Sequence, residues 1–149
     1  MERRGFTVIE MLLVILIIGI MTIIGLPRMS AGATSASVRG ARTTLINLLA
    51  RARIAATETN RVSVLKIDGN NAVILLRPRR LPGAGNADTL GQVVQLGESY
   101  GVTVAAAIDS VRFDPRGMGS GFGSGTNFTV SKNGKTETIR IDGLGRVTK

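Results

Sequence analysis

The chain has no cysteine, no histidine and no tryptophan, and a single tyrosine. Without cysteine there are no disulfides and no thiol chemistry. Without cysteine and histidine together, zinc sites of the usual kind are excluded, as is any catalytic triad or dyad that needs an imidazole. Aromatic residues make up only 3% of the chain, which argues against binding nucleic acid by stacking bases on rings. Acidic residues are also scarce: 10 Asp and Glu face 19 Lys and Arg, for a net charge of +9. That balance points to anionic partners or surfaces without naming one. What remains is 149 residues, 44% apolar and 19% charged. This suits one folded domain with a real core and excludes a disordered chain.

The apolar residues are unevenly spread. From Phe6 to Leu26 the one charge is Glu10, and Met11 to Leu26 reads MLLVILIIGIMTIIGL, with Thr22 its one polar side chain. A helix of that length spans roughly 30 Å, the thickness of a bilayer's hydrocarbon core. Being apolar on every face, it is expected to meet lipid. The remainder, from Pro27 onward, holds 17 basic and 8 acidic residues, so the basic character belongs to the part outside the membrane.

Three readings compete for this N-terminus. A secretory signal peptide would be cleaved near Ala31 or Ala33, but the apolar run is long for one, contains Glu10 and ends in Pro27-Arg28. A plain membrane anchor is the second, although Arg3 and Arg4 before the segment and Arg28, Arg39 and Arg42 after it leave its orientation open. The third explains Glu10. A carboxylate inside lipid costs about 2.5–3.5 kcal/mol on insertion scales, so it needs a partner or a function. The bland alternative is a carboxyl near the interface that stays protonated or hydrated.

The order Gly5-Phe6-Thr7-x-x-Glu10, after a short basic leader and followed at once by the apolar run, resembles the class III leader and N-terminal helix of type IV pilins and pseudopilins. The resemblance implies cleavage between Gly5 and Phe6 by a membrane-embedded prepilin peptidase and N-methylation of Phe6. It also implies later extraction of the helix from the inner membrane into a filament. Cleavage would leave a cationic amine on Phe6, four residues from Glu10. The Glu10 of one subunit would then meet the Phe6 amine of its neighbour and set the axial register of assembly.

Beyond the apolar run, Ser30 to Ser37 (SAGATSAS) reads as a hinge or a partly helical continuation. A helical period follows: Val38, Ala41, Leu45, Leu48, Ala52 and Ala55 form one stripe, ending near Asn60. From Arg61 the period becomes two. Strands are expected at 62–67, 72–76, 92–96, 102–108, 111–113, 127–132 and 136–141, with a last short one at 146–149. Asn133-Gly134 marks a hairpin. Residues 77–88 and 115–125 read as loops rich in Pro and Gly, and no internal repeat is apparent. The plan is α+β: a long N-terminal helix, its first half transmembrane, packed on an antiparallel sheet domain. The divisions are a leader at 1–5, the membrane or filament-core helix at 6–26, and a periplasmic domain at 27–149.

The run Val111-Arg-Phe-Asp-Pro-Arg-Gly-Met-Gly, the hairpin, and Gly143-Leu-Gly-Arg-Val near the end are similar to the H-type minor pseudopilins of type II secretion. Related minor pilins of type IV pili carry the same domain. The resemblance implies a rare, non-catalytic subunit near a filament tip that helps prime assembly, with other pilins and an inner-membrane assembly platform as partners. A major pilin fits less well, since those often carry a C-terminal disulfide loop.

No enzyme chemistry emerges, and neither a cofactor nor a metal is expected. The glycines at 117–125 contain no G-x-G-x-x-G in register. Gly134-Lys135-Thr136 lacks the glycine a P-loop needs, since that position is Thr129. Asp109 and Asp114 read as strand-end and turn residues. The basic residues fall in three groups: Arg39, Arg42 and Arg53 on one helix face; Arg77, Arg79 and Arg80 in one loop; and Arg140, Arg146 and Lys149 near the end. Their ordinary reading is a solvated face. The sharper one is DNA capture during uptake, because some pilus relatives bind DNA through a C-terminal Gly-Arg-x-Arg element. Here the second arginine is replaced by Thr148, and DNA is not the favoured partner.

Overall fold

A computed structural model describes residues 6–77, 87–121 and 123–148, the side chains of 26–29 excepted. It divides into two compact units, Met1–Ser35 and Ala36–Lys149. Each is a stretch of chain with its own logic.

The first unit holds the start of α1 (Val8–Thr59). Thr7 precedes the helix, and its hydroxyl accepts the Glu10 backbone N–H at 3.3 Å. With Glu10 three residues on, this is the sequence pattern of a capping box. Every large apolar side chain from Phe6 to Ile24 is exposed, Phe6 at 74% and Ile23 at 76%. Ser30 to Ser37, read as a hinge or a partly helical continuation, is helical. Its hydroxyls turn inward along the helix, Thr34 donating to the Ser30 carbonyl and Ser35 to that of Ala31, each at 3.0 Å. Ser and Thr in that role take up local acceptors instead of breaking the helix.

In the second unit, α1 buries the anticipated stripe: Val38, Ala41, Leu45, Leu48, Ala52 and Ala55, joined by Leu49 and Ala56. It stops where Asn60 turns left-handed (φ 50°), and the Arg61 N–H reaches back to the Ala56 carbonyl at 3.3 Å. Asparagine tolerates that conformation better than most residues.

The strands are β1 (Ser63–Asp68), β2 (Asn71–Leu76), β3 (Asp88–Gln95), β4 (Thr103–Ala106), β5 (Ser110–Phe113), β6 (Gly119–Ser120), β7 (Gly125–Lys132), β8 (Lys135–Asp142) and β9 (Val147–Thr148). They form two antiparallel sheets, ordered β3-β2-β1-β5-β6 and β4-β7-β8-β9. The inward residues of both sheets and the α1 stripe make one core, with Phe113, Phe128, Leu65, Ile74 and Ile139 fully buried. Alternate burial along β1, β2 and β7 is the period of two expected of strands with one wet face.

Two expectations are corrected. The strand placed at 92–96 stops at Gln95, and Leu96 opens a short helix, α2 (Leu96–Tyr100), which buries Leu96 completely. The loop at 115–125 contains β6, a two-residue strand that pairs with β5. Two turns of this unit are also alike. In the first of two like turns, the Asp114 N–H donates to the Met118 carbonyl and the Gly117 N–H to that of Asp114. The Asp114 carboxylate accepts the amides of Arg116 and Met118. Asp142, Leu144, Gly145 and Arg146 make the same four bonds in the same order. Gly117 and Gly145 occupy the matching left-handed position, φ 76° and 80°. Two five-residue turns, Asp-Pro-Arg-Gly-Met and Asp-Gly-Leu-Gly-Arg, are too short and too unlike in composition to read as a repeat.

Candidate functional site

The residues singled out for processing and assembly lie at the start of the first unit. Gly5 is outside the described residues. Phe6 is exposed just before α1, and Glu10 is exposed in its first turn. A carboxylate there lies near the positive end of the helix dipole. Among the described residues, no side chain pairs with it. The segment that follows has a mean hydropathy of 2.8 over its most apolar 18 residues, none of it buried. Burying that surface against lipid or other helices yields roughly 25 cal/mol for each Å² removed from water.

The basic residues do not converge. Arg39 is exposed on α1. Arg42 turns to β8, its Nε 3.8 Å from the Glu137 carboxylate, and that Nε is buried without a hydrogen-bond partner. Arg53 lies 14 residues from Arg39, roughly 21 Å along the helix. It packs beside Gly117 of the first five-residue turn. One helix face thus serves two different contacts, one with β8 and one with the first five-residue turn. Arg77 is exposed, while Arg79, Arg80 and Lys149 are outside the described residues. Arg140 is exposed on β8, beside an open depression of about 270 Å³ that Asn127, Asp142 and Thr148 also line.

Arg146 is committed inside its own turn. Its Nε donates to Asp142 Oδ2 at 2.9 Å, and its backbone N–H to Asp142 Oδ1 at 2.8 Å. That backbone bond, before any other cause, holds the Asp142 carboxyl below its ordinary value of 3.8. Burial opposes it as the next-largest effect, and the guanidinium and the Leu144 N–H add to the lowering. The counterpart of the Gly-Arg-x-Arg element is therefore a turn brace, and its second arginine is absent.

Several shaping residues escaped the sequence reading. Arg61 pins the base of the 77–88 segment, donating to the Arg77 carbonyl at 2.7 Å and pairing with Asp88 at 2.8 Å. Lys132 Nζ donates to the Tyr100 carbonyl at 2.6 Å and to Ser37 Oγ at 3.1 Å. The Tyr100 hydroxyl meets Thr44 Oγ1 at 2.9 Å, and its ring lies so close to Gly40 that a Cβ there would be 2.8 Å from Cε1. A lone tyrosine in so aromatic-poor a chain was the available signal. No group of three or more acidic, His or Cys side chains able to hold a metal exists among the described residues.

Residues 41–145 match the family described as type II transport protein GspH. In fold, the chain is similar to the type IV minor pilin FimU of Pseudomonas aeruginosa, strain PAO1, seen in two crystal forms. One aligns with a TM-score of 0.58 at 17% identity, over 76% of this chain and 88% of FimU. The other gives 0.54 at 18%, over 74% and 90%. No curated protein matches in sequence. Identity at this level speaks for the fold, and the pilin-like plan of a long apolar helix leading into antiparallel sheets agrees with it. The family match covers well over half of the chain, and the chain belongs to the GspH family of type II transport proteins.

Proposed function

We propose that the chain is a minor pseudopilin, a structural subunit that helps initiate or cap the pseudopilus of type II protein secretion. The observation that carries this is a fully exposed apolar helix, preceded by Gly-Phe-Thr-x-x-Glu, on a chain of the GspH family. Arg3 and Arg4 would keep the leader cytoplasmic, with residues 27–149 in the periplasm. A prepilin peptidase would cut after Gly5, where a side chain would crowd its site, and methylate Phe6. Met11 to Leu26 would anchor in inner-membrane lipid, then pack against other pilins in the filament core. There the neighbour's Phe6 amine would neutralise Glu10 and reward the correct register, because an unpaired charge in an apolar core is costly.

The test is the culture-supernatant proteome of a deletion strain against its parent. A set of exoproteins lost from the medium and retained in the periplasm is expected. An unchanged supernatant would overturn the secretion role. The likeness to FimU in fold favours a second reading, a minor pilin of a type IV pilus. In its DNA-uptake form, phosphate contacts would dominate and affinity would fall steeply with salt. The full chain failing to shift duplex DNA at low salt would remove that form.

A further inference from the structure

The two like turns meet. The Gly119 N–H, one residue beyond the first turn, donates to the Leu144 carbonyl of the second at 2.9 Å. Gly145 is so close to Phe113 and Gly119 that a Cβ there would sit 2.7 Å from the Phe113 ring. The first turn also leans on the end of α1, where Gly117 faces Thr57 and Arg53. This seam carries Met118, Leu144 and Val147, exposed at 45%, 46% and 38%. Of the five large apolar side chains exposed in the second unit among the described residues, these three lie on the two turns and the strand that follows; the others are Ile54 on α1 and Val93 on β3. Scattered exposed apolar residues need no explanation, but a cluster with a polar rim marks an interaction surface.

The rim is basic. Arg53 and Arg116 are exposed, with no ion pair among the described residues. The two carboxylates of the seam, Asp114 and Asp142, are spent on the amides of their own turns. Glu58, on the neighbouring turn of α1, is the exposed acid nearest in sequence. We propose that this seam docks a protein partner whose surface is apolar at its centre and acidic around it. A second copy of the chain would set arginine against arginine. Duplex DNA presents a charged phosphate backbone with no apolar centre to cover Met118, Leu144 and Val147. The turns are also rigid before binding, each tied by four internal hydrogen bonds, which lowers the ordering cost of fitting one shaped protein surface. The proposal holds whichever filament the subunit joins.

The experiment uses the full chain in cells, with a photo-cross-linking benzoylphenylalanine in place of Leu144 and, separately, of Met118. The adduct is identified by mass spectrometry and the cross-linked segment mapped. The expected adduct is a different protein, joined through a segment rich in Asp and Glu beside apolar residues. In the Arg53→Glu, Arg116→Glu chain the yield should fall at least tenfold at unchanged protein level and thermal midpoint. Lysines placed in the partner's acidic segment should restore it. An adduct with a second copy, with lipid or with nucleic acid would overturn the proposal. So would the absence of an adduct at both positions, or a yield indifferent to charge reversal. Leader processing and the supernatant proteome, read in the same strains, report separately on the proposed function.

Discussion

Replacing Gly145 by alanine tests whether the seam between the two turns is as tight as its geometry says. Gly145 has a φ of 80°, in the left-handed region. An L-residue there costs about 1–2 kcal/mol. Its new Cβ would also stand 2.7 Å from Phe113 Cε1 and 3.0 Å from the Gly119 Cα, the latter being backbone that cannot simply rotate away. Overpacking of that kind adds about 1–3 kcal/mol. The total is about 2–5 kcal/mol, or a fall of about 8–20 °C in thermal midpoint at roughly 4 °C per kcal/mol for a domain of this size. Gly134 supplies the control. Its φ is 77°, almost the same, but a Cβ there meets nothing within 4 Å. Gly134→Ala should therefore show the backbone cost alone, about 4–8 °C. Calorimetry of the detergent-solubilised full chain compares the two variants under one set of conditions. A Gly145→Ala shift no larger than that of Gly134→Ala would refute the close contact and, with it, the rigidity claimed for the seam.

Three further outcomes are expected. Asp142 has a depressed carboxyl in the folded state, so its contribution is full above the ordinary value of 3.8 and is lost as the pH falls through the lower folded value. Thermal midpoints of the native chain and Asp142→Asn should accordingly differ at neutral pH and converge in acid; a constant gap would sink the argument. Gly5→Ala should leave full-length precursor in the membrane, seen as a band shift on a gel and an unmethylated N-terminus by mass spectrometry, and normal processing would remove the leader reading. Glu10→Ala should still be processed yet enter filaments several-fold less efficiently, measured by cross-linking to neighbouring subunits; normal incorporation would show the register pair to be dispensable.

Much of the framework was legible because it rests on local periodicity. The all-apolar run after Phe6 needs no tertiary information to be read as a segment for lipid or helix packing. The stripe from Val38 to Ala55 matched the buried face of α1 because a helix's 3.6-residue period is set by backbone geometry. Asn133-Gly134 specified its hairpin through positive φ at both positions, 47° and 77°. Asp114 was read correctly as a turn residue, since its carboxylate answers amides two and four residues on. The boundaries were less secure where an apolar residue served two periods. Leu96 extends the alternation of β3, and only its burial beside β2 and β4 decides that it begins α2.

The arginines show where local reading ends. Sequence spacing put Arg39, Arg42 and Arg53 on one helix face, and charge alone made that face a candidate anion surface. Which arginine is free depends on what stands opposite. Glu137, 95 residues beyond Arg42, takes Arg42; Asp142 takes Arg146; Asp88 takes Arg61. These pairings follow from the register of β8 and from the fold of two loops, neither of which is encoded within any one segment. The same holds for the exposed seam. Met118 and Leu144 are unremarkable apart, and 26 residues separate them. A hydrogen bond between Gly119 and Leu144 makes them neighbours. By itself the sequence determined the long apolar helix and the α+β plan, because each is written in the periodicity of consecutive residues. Tertiary structure alone decided which charges remain unspent and which apolar side chains meet at the surface, because both depend on contacts between distant parts of the chain.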